Sequence, residues 1–218
     1  MGALLNNKKA APIEFLWLGL YSFAGFSLEL ILMVLLNIFN VSPSIPLHAG
    51  LTAALWFIAS YLILHYANKK FSFDPVNVHV HLDKRRLIMV GAIFILLILV
   101  TSILFQGFKP LVEFHGDLQK SVLALIMRII YYLAESGLIL LTICFGQAFF
   151  EGQFSLPSYL PSGGFFLALT WGLIHFLLQG FSGGLFAIFF SLLTGTLFVL
   201  VKKDFKKSYL LIALALIL

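Results

Sequence analysis

The sequence predicts an all-α, polytopic membrane helix bundle with about six full spans and a short C-terminal half-span. Of the 218 residues, 61% are hydrophobic and only 11% are charged, whereas soluble domains contain about 25% charged residues. The apolar residues form stretches of about 20 residues or more, which is the length that crosses a bilayer. Most basic residues lie between these stretches, as in the loops of membrane proteins.

Seven apolar stretches are predicted as helices. The first is too long for the apolar region of a signal peptide, so we expect it to be retained. The last, 208–218, is long enough to reach about halfway across the bilayer. No internal repeat or soluble second domain is evident, so 1–218 is expected to form a single integral membrane domain. The six full spans are predicted at 13–40, 47–67, 87–106, 121–149, 164–181 and 184–201.

The distribution of lysine and arginine predicts the orientation in the membrane. These residues cluster in the N-terminal segment and in the loops 68–86 and 202–207, whereas the connections 41–47 and 179–184 have none. Cytoplasmic loops are enriched in basic residues. The alternation therefore predicts a multi-pass protein of the cell membrane with a cytoplasmic N-terminus, and it places the charge-balanced 107–120 loop outside.

Composition also limits which partners and cofactors are expected. The net charge is +5, but lipid headgroups account for basic residues at helix ends, so nucleic acid is not an expected partner. The only cysteine, Cys144, cannot form an internal disulfide. His79, His81 and Asp83 lie close together in the 68–86 loop, where we favour a solvated loop over a metal site. The expected partner is the lipid bilayer, and no metal or cofactor is expected.

Four ionisable residues fall inside the predicted spans: Glu29, Arg128, Glu135 and His175. A charge at the bilayer centre costs about 2.5–3.5 kcal/mol on insertion scales, and such groups usually face the bundle interior or a wet cavity. The sequence therefore predicts a polar site inside the bundle.

Glu135 and His175 are the candidate catalytic pair. They lie in consecutive antiparallel spans, at nearly the same depth by the rise of a helix. A carboxylate can take a proton from water, and a histidine can orient water, donate to an oxyanion or share a metal. The structural alternative is that Glu135 and Arg128 form a buried ion pair with a neighbour, and that His175 caps a backbone carbonyl. The candidate supporting residues are Arg128, Glu29, Tyr131, Tyr132 and Trp171.

The C-terminal half, about 120–218, resembles the CAAX-prenyl endopeptidase and bacteriocin-processing (CPBP, Abi-like) family of intramembrane proteases. In YLAESGLIL, Glu135 stands at the position of the family's first motif glutamate, and in WGLIH, Trp171 and His175 match its aromatic-x-x-x-His motif. The resemblance implies that Glu135 activates water and that His175 stabilises the oxyanion. It also implies a peptide or membrane-protein substrate.

Three departures from the family pattern leave other functions open. Ser136 replaces the second glutamate, Leu140 stands at the arginine position, and the final helix lacks the later histidine or asparagine motif. The first hypothesis is an intramembrane peptidase of this family. The second is a catalytically degenerate relative that acts as a scaffold, an immunity factor or a partner-binding subunit. The third is a small transporter or substrate-binding membrane subunit, in which Arg128 would bind a carboxylate or phosphate.

Overall fold

The computed structural model describes residues 10–77, 80–118 and 121–218, with the backbone alone at 117 and 118. Lys8, Lys9, His79 and Lys120, which the loop predictions used, lie outside the described residues. Every regular element in the described ranges is helical, which confirms the all-α class. The α-helices are α1 (Pro12–Gly25), α2 (Ser27–Ile38), α3 (Ile45–Phe71), α4 (Lys84–Leu104), α5 (Lys109–Leu118), α6 (Val122–Phe154), α7 (Ser162–Leu167), α8 (Leu173–Leu200) and α9 (Phe205–Ile217).

Five helical stretches of the described chain are long and apolar enough to cross a membrane. The first joins α1 and α2, and the next three are α3, α4 and α6, close to the spans predicted for them. The fifth covers α7, a π-helical turn at Ala168–Gly172 and α8. The predicted fifth and sixth spans thus form one stretch, 162–200, and α5 is a helix inside the predicted 107–120 loop.

The chain reverses direction at Gly180, within α8. This glycine has φ +72° and ψ −168°, a conformation that residues with a Cβ rarely adopt. Residues on its two sides pack against each other: a Cβ built on Gly164 would lie 2.9 Å from Gly195 Cα, and one on Gly172 would lie 3.2 Å from Ile188 Cγ1. The segments before and after Gly180 are therefore antiparallel neighbours, where the sequence predicted a connection at 179–184.

Helix α6 is the central element. In its most apolar window 72% of the residues are buried, against 17% for α3 and α4. It packs against α1, α3, α5, α7 and α9. The Ser121 hydroxyl caps its first turn by accepting from Ala124 N–H at 3.1 Å, and it ends at Ser155 in the left-handed conformation. Side chains of α6 are consequently buried almost without interruption from Ala134 to Ala148.

A closed polar network surrounds the C-terminal half of α6. The buried Gln147 amide donates to Glu151 at 2.6 Å and to the Leu160 carbonyl at 2.8 Å, and it accepts from Gly163 N–H at 2.9 Å. Lys203 forms an ion pair with Glu151. These contacts hold the α6–α7 connection against the α8–α9 turn.

Asp204 continues this network to the segment before α4. Its carboxylate accepts from Lys207 N–H at 3.1 Å, which caps α9, and from Val80 N–H at 3.3 Å. Burial alone would raise the pKa of Asp204, but the hydrogen bonds from Lys207 and Val80 hold it below its usual value. Asp204 is therefore a structural carboxylate.

Candidate functional site

The N-terminal half of α6 presents polar side chains to a cavity. Arg128, Tyr131, Tyr132 and Glu135 are spaced three, four and seven residues apart, so they share one face of the helix. All four line a cavity of about 780 Å³, which is within the usual range of ligand sites. Glu135 is 9% exposed, so its carboxylate lies deep in the helix bundle.

Trp171 and His175 approach the same cavity from the neighbouring stretch. His175 Nδ1 lies 2.6 Å from the Trp171 carbonyl oxygen. Because a carbonyl can only accept, Nδ1 carries the proton of this bond. In the neutral ring Nε2 is then left as an acceptor. The π-helical turn at Ala168–Gly172 contains Trp171 and ends three residues before His175, and such turns are frequent at functional sites.

Trp171 shares the cavity wall with both candidate catalytic residues. Its side chain lines the cavity together with Glu135, and its backbone carbonyl accepts from His175. The ring centroids of Trp171 and His175 are 4.2 Å apart. Phe190 supports the indole from behind, with 5.8 Å between ring centroids. Trp171 thereby orients His175 through its carbonyl and its ring, on the same cavity wall as Glu135.

Glu29 reaches the cavity from α2. The Tyr131 hydroxyl donates to its carboxylate at 3.0 Å. Tyr131 is itself held by Trp56 of α3, with 4.7 Å between ring centroids. Glu29 therefore lines the cavity together with the other candidate supporting residues.

Lys109, at the start of α5, is a cavity residue that the sequence did not predict. Only 4% of it is exposed. Its ammonium donates to the Leu216 carbonyl and lies 4.3 Å from the centroid of the Tyr132 ring. Burial lowers the pKa of Lys109, and the carboxylates of Glu113 and Glu135 oppose this shift. The chain thus places a buried amine beside the candidate catalytic carboxylate.

Glu113 lies one turn after Lys109 on α5 and also lines the cavity. Both of its carboxylate oxygens accept from the Tyr132 hydroxyl, at 2.9 and 2.8 Å. The sequence contained a signal for this helix, because Lys109 and Glu113 are four residues apart and face the same side. A balanced pair of charges in a predicted loop was instead interpreted as solvated.

The cavity brings together every candidate residue of the sequence analysis, with additions from α3 and α5. How these residues act stays a prediction. Among the described residues, no group of three or more histidine, cysteine, aspartate or glutamate side chains could hold a metal ion. The ionisable residues on the cavity wall are Glu29, His48, Lys109, Glu113, Arg128, Glu135 and His175.

No family model matches the chain, and neither a curated protein nor a solved structure is significantly similar to it. The resemblance to the CPBP family therefore stays a prediction from the motif residues.

Proposed function

We propose that this chain is a membrane-embedded, CPBP-like peptidase with an altered catalytic set, in which Glu135 and His175 act on a peptide or membrane-protein substrate. The observation that carries the proposal is that Glu135, Trp171 and His175 line one large cavity, with His175 bonded to the Trp171 carbonyl. A carboxylate and an imidazole on one cavity wall are what water activation requires.

The proposed reaction is the hydrolysis of an amide bond. Glu135 takes a proton from water, and the oxygen attacks the substrate carbonyl to form a tetrahedral oxyanion. The carbon–nitrogen bond then breaks, and Glu135 returns the proton to the leaving amine. Since Nδ1 of His175 is bonded to Trp171, neutral His175 uses Nε2 to accept from the attacking water and orient it. This differs from the role in oxyanion binding that the resemblance implies.

The oxyanion then needs another donor. Lys109 and Arg128 are the cationic side chains that line the cavity, and a fixed cation near a developing oxyanion lowers the barrier. We assign this electrostatic role to Lys109, because it interacts with Glu135 and lies over the Tyr132 ring. Lys109 would thus supply a positive charge that Leu140 cannot provide at the family's arginine position.

The proposed arrangement has six full crossings and a C-terminal half-span, with the N-terminus in the cytoplasm. The reversal at Gly180 supports it, because 162–179 and 181–200 would each span about 27–30 Å, close to the hydrocarbon thickness of about 30 Å. Helix α9, with 13 residues, is the half-span. The bilayer is the proposed surrounding, with no nucleic-acid partner.

The experiment compares native membranes that contain the wild-type chain, Glu135→Gln or His175→Ala. We expect mass spectrometry of protein N-termini to find cleavage products with the wild type. Glu135→Gln should lower their rate of formation by about 10²–10⁴-fold, the usual contribution of a general base. The matched control is His65→Ala, which removes an exposed histidine of α3 outside the cavity.

Wild-type rates of cleavage in either cavity variant would overturn the peptidase proposal. If the wild type produces no new N-termini but retains a stoichiometric partner regardless of Glu135→Gln, the non-enzymatic hypothesis is correct instead. Ser136 and Leu140, which replace the family's second glutamate and arginine, are the residues that favour that outcome.

A further inference from the structure

A second cavity, of about 200 Å³, lies between α1 and α3. Helix α1 contributes Glu14, Trp17, Leu18 and Tyr21, whose spacing of three, four and seven residues places them on one face. Helix α3 contributes a pair of residues four apart, Tyr66 and Lys70. Two separate helix faces therefore form this cavity.

Opposite charges face this cavity without forming an ion pair. Glu14 is in the first turn of α1 and Lys70 is in the last turn of α3. The Lys70 ammonium donates to the Tyr66 hydroxyl at 2.9 Å, and no salt bridge links it to Glu14. The helix dipoles account for each charge separately, but not for the space that the fold leaves between them.

Aromatic rings form the remaining wall of the cavity. Trp17 and Tyr21 stack with 6.4 Å between ring centroids, and they are 50% and 55% exposed. Aromatic faces bind ammonium groups, and a nearby carboxylate strengthens this binding. A lysine is a common ligand of phosphate. The cavity thus offers one site for an amine and another for a phosphate.

We propose that this α1–α3 cavity binds the zwitterionic headgroup of a phospholipid that carries an amine. The phosphate lies at Lys70, and the ammonium lies between Glu14 and the aromatic rings. The source is a lipid because the cavity is at the ends of two membrane-spanning helices, where tryptophan and tyrosine favour the headgroup level. The exposed Leu62, one turn before Tyr66 on α3, continues this face into the region of the acyl chains.

The experiment measures lipid binding to the purified full chain in detergent by native mass spectrometry. The probes are dioleoyl phosphatidylethanolamine and dioleoyl phosphatidylglycerol, which share acyl chains and phosphate but differ in the amine. We expect the wild type to bind the ethanolamine lipid about 5- to 10-fold more tightly, from the cation–π and carboxylate contacts. Free phosphoethanolamine should bind much more weakly than the lipid.

Two variants separate the roles of the charges. Glu14→Gln should bring the ratio of the two affinities close to one. Lys70→Met should weaken both lipids by about 5-fold, the usual effect of one lysine near a lipid phosphate. Trp17→Leu, an exposed position, should also reduce the preference for ethanolamine. The matched control is Lys206→Gln, an exposed lysine of α9, which should leave the ratio unchanged.

Tighter binding of phosphatidylglycerol by the wild type would overturn the proposal, as would an unchanged ratio in Glu14→Gln. Equal affinity for free phosphoethanolamine and the lipid would show that the ligand is a soluble zwitterion. The proposal does not depend on the peptidase assignment, because none of these residues lines the larger cavity.

Discussion

The two halves of α6 both bury polar side chains, but they do so in opposite ways. In the N-terminal half, Glu135 and Arg128 line a cavity of about 780 Å³. In the C-terminal half, Gln147 and Glu151 are bonded to the loop and turn that pack against them. The polar groups of the first half border an open cavity, whereas those of the second half are enclosed by the protein groups that they bind.

This difference distinguishes the candidate site from a structural network within one helix. A buried polar group in a membrane protein is costly unless it has a partner, and the C-terminal network meets that requirement from within the chain. Near Glu135 the chain keeps a space large enough for a ligand or water. Burial of a charge therefore does not by itself indicate a functional site, and the open cavity is what makes Glu135 the candidate and Glu151 a structural residue.

The largest effect on stability is expected from removing the ion pair between Lys203 and Glu151 in the C-terminal half of α6. Lys203→Met leaves the buried Glu151 carboxylate without its ammonium partner, and removing one partner of a buried pair costs about 3–5 kcal/mol. Unfolding in a titration with sodium dodecyl sulfate measures this change. The control is Lys206→Met on the exposed side of α9, which should stay within about 0.5 kcal/mol of the wild type. Equal stability of the two variants would contradict a structural role for the pair.

A smaller effect on stability is expected where Gly164 and Gly195 bring two antiparallel helical segments into close contact. A Cβ at Gly195 would lie 2.3 Å from Gly164 Cα, and backbone atoms cannot rotate away. Gly195→Ala should therefore lower the free energy of unfolding by about 1–3 kcal/mol. Gly91→Ala is the matched control, because nothing lies within 4 Å of its Cβ and alanine favours a helix. If Gly195→Ala were more stable than the wild type, the two segments would have to lie further apart at Gly164 and Gly195 than in the structure.

Much of this fold follows from hydropathy and helical spacing. The predicted stretch 47–67 lies within α3, and 121–149 lies within α6 and its N-cap, because about 20 apolar residues have few alternatives to a membrane helix. The grouping of Glu135 with His175 follows from rise per residue, since antiparallel neighbours at equal depth must meet. The reversal at Gly180 leaves only a weak signal, because the chain turns there without a polar loop.

The burial of Lys109 is a feature that the sequence alone could not predict. Its charge and its neighbours Gly107 and Pro110 favour a loop, and hydropathy takes no account of tertiary contacts. Its burial depends on the Leu216 carbonyl and the Tyr132 ring, which come from helices elsewhere in the chain. The small cavity between α1 and α3 was missed for the same reason, because Glu14 and Lys70 are 56 positions apart.

The smallest effect on the free energy of unfolding is expected from the titration of Lys109. It tests whether the cavity beside the N-terminal half of α6 holds a buried cation. Burial lowers the pKa of Lys109 in the folded chain, whereas lysine in an unfolded chain has a pKa of about 10.4. Between these values the unfolded state binds more protons, so this residue makes the free energy of unfolding rise with pH. The slope is at most about 1.4 kcal/mol per pH unit.

Lys109→Met removes this contribution while keeping an apolar side chain over the Tyr132 ring. Its unfolding free energy should therefore rise less with pH than that of the wild type, up to about pH 10.4. Lys206→Met should keep the wild-type slope, because Lys206 is exposed. In cleavage assays, Lys109→Arg should retain activity at alkaline pH where the wild type loses it, since arginine stays charged. Parallel slopes for Lys109→Met and the wild type would mean that this amine is solvated, and the open half of α6 would then lack its buried cation.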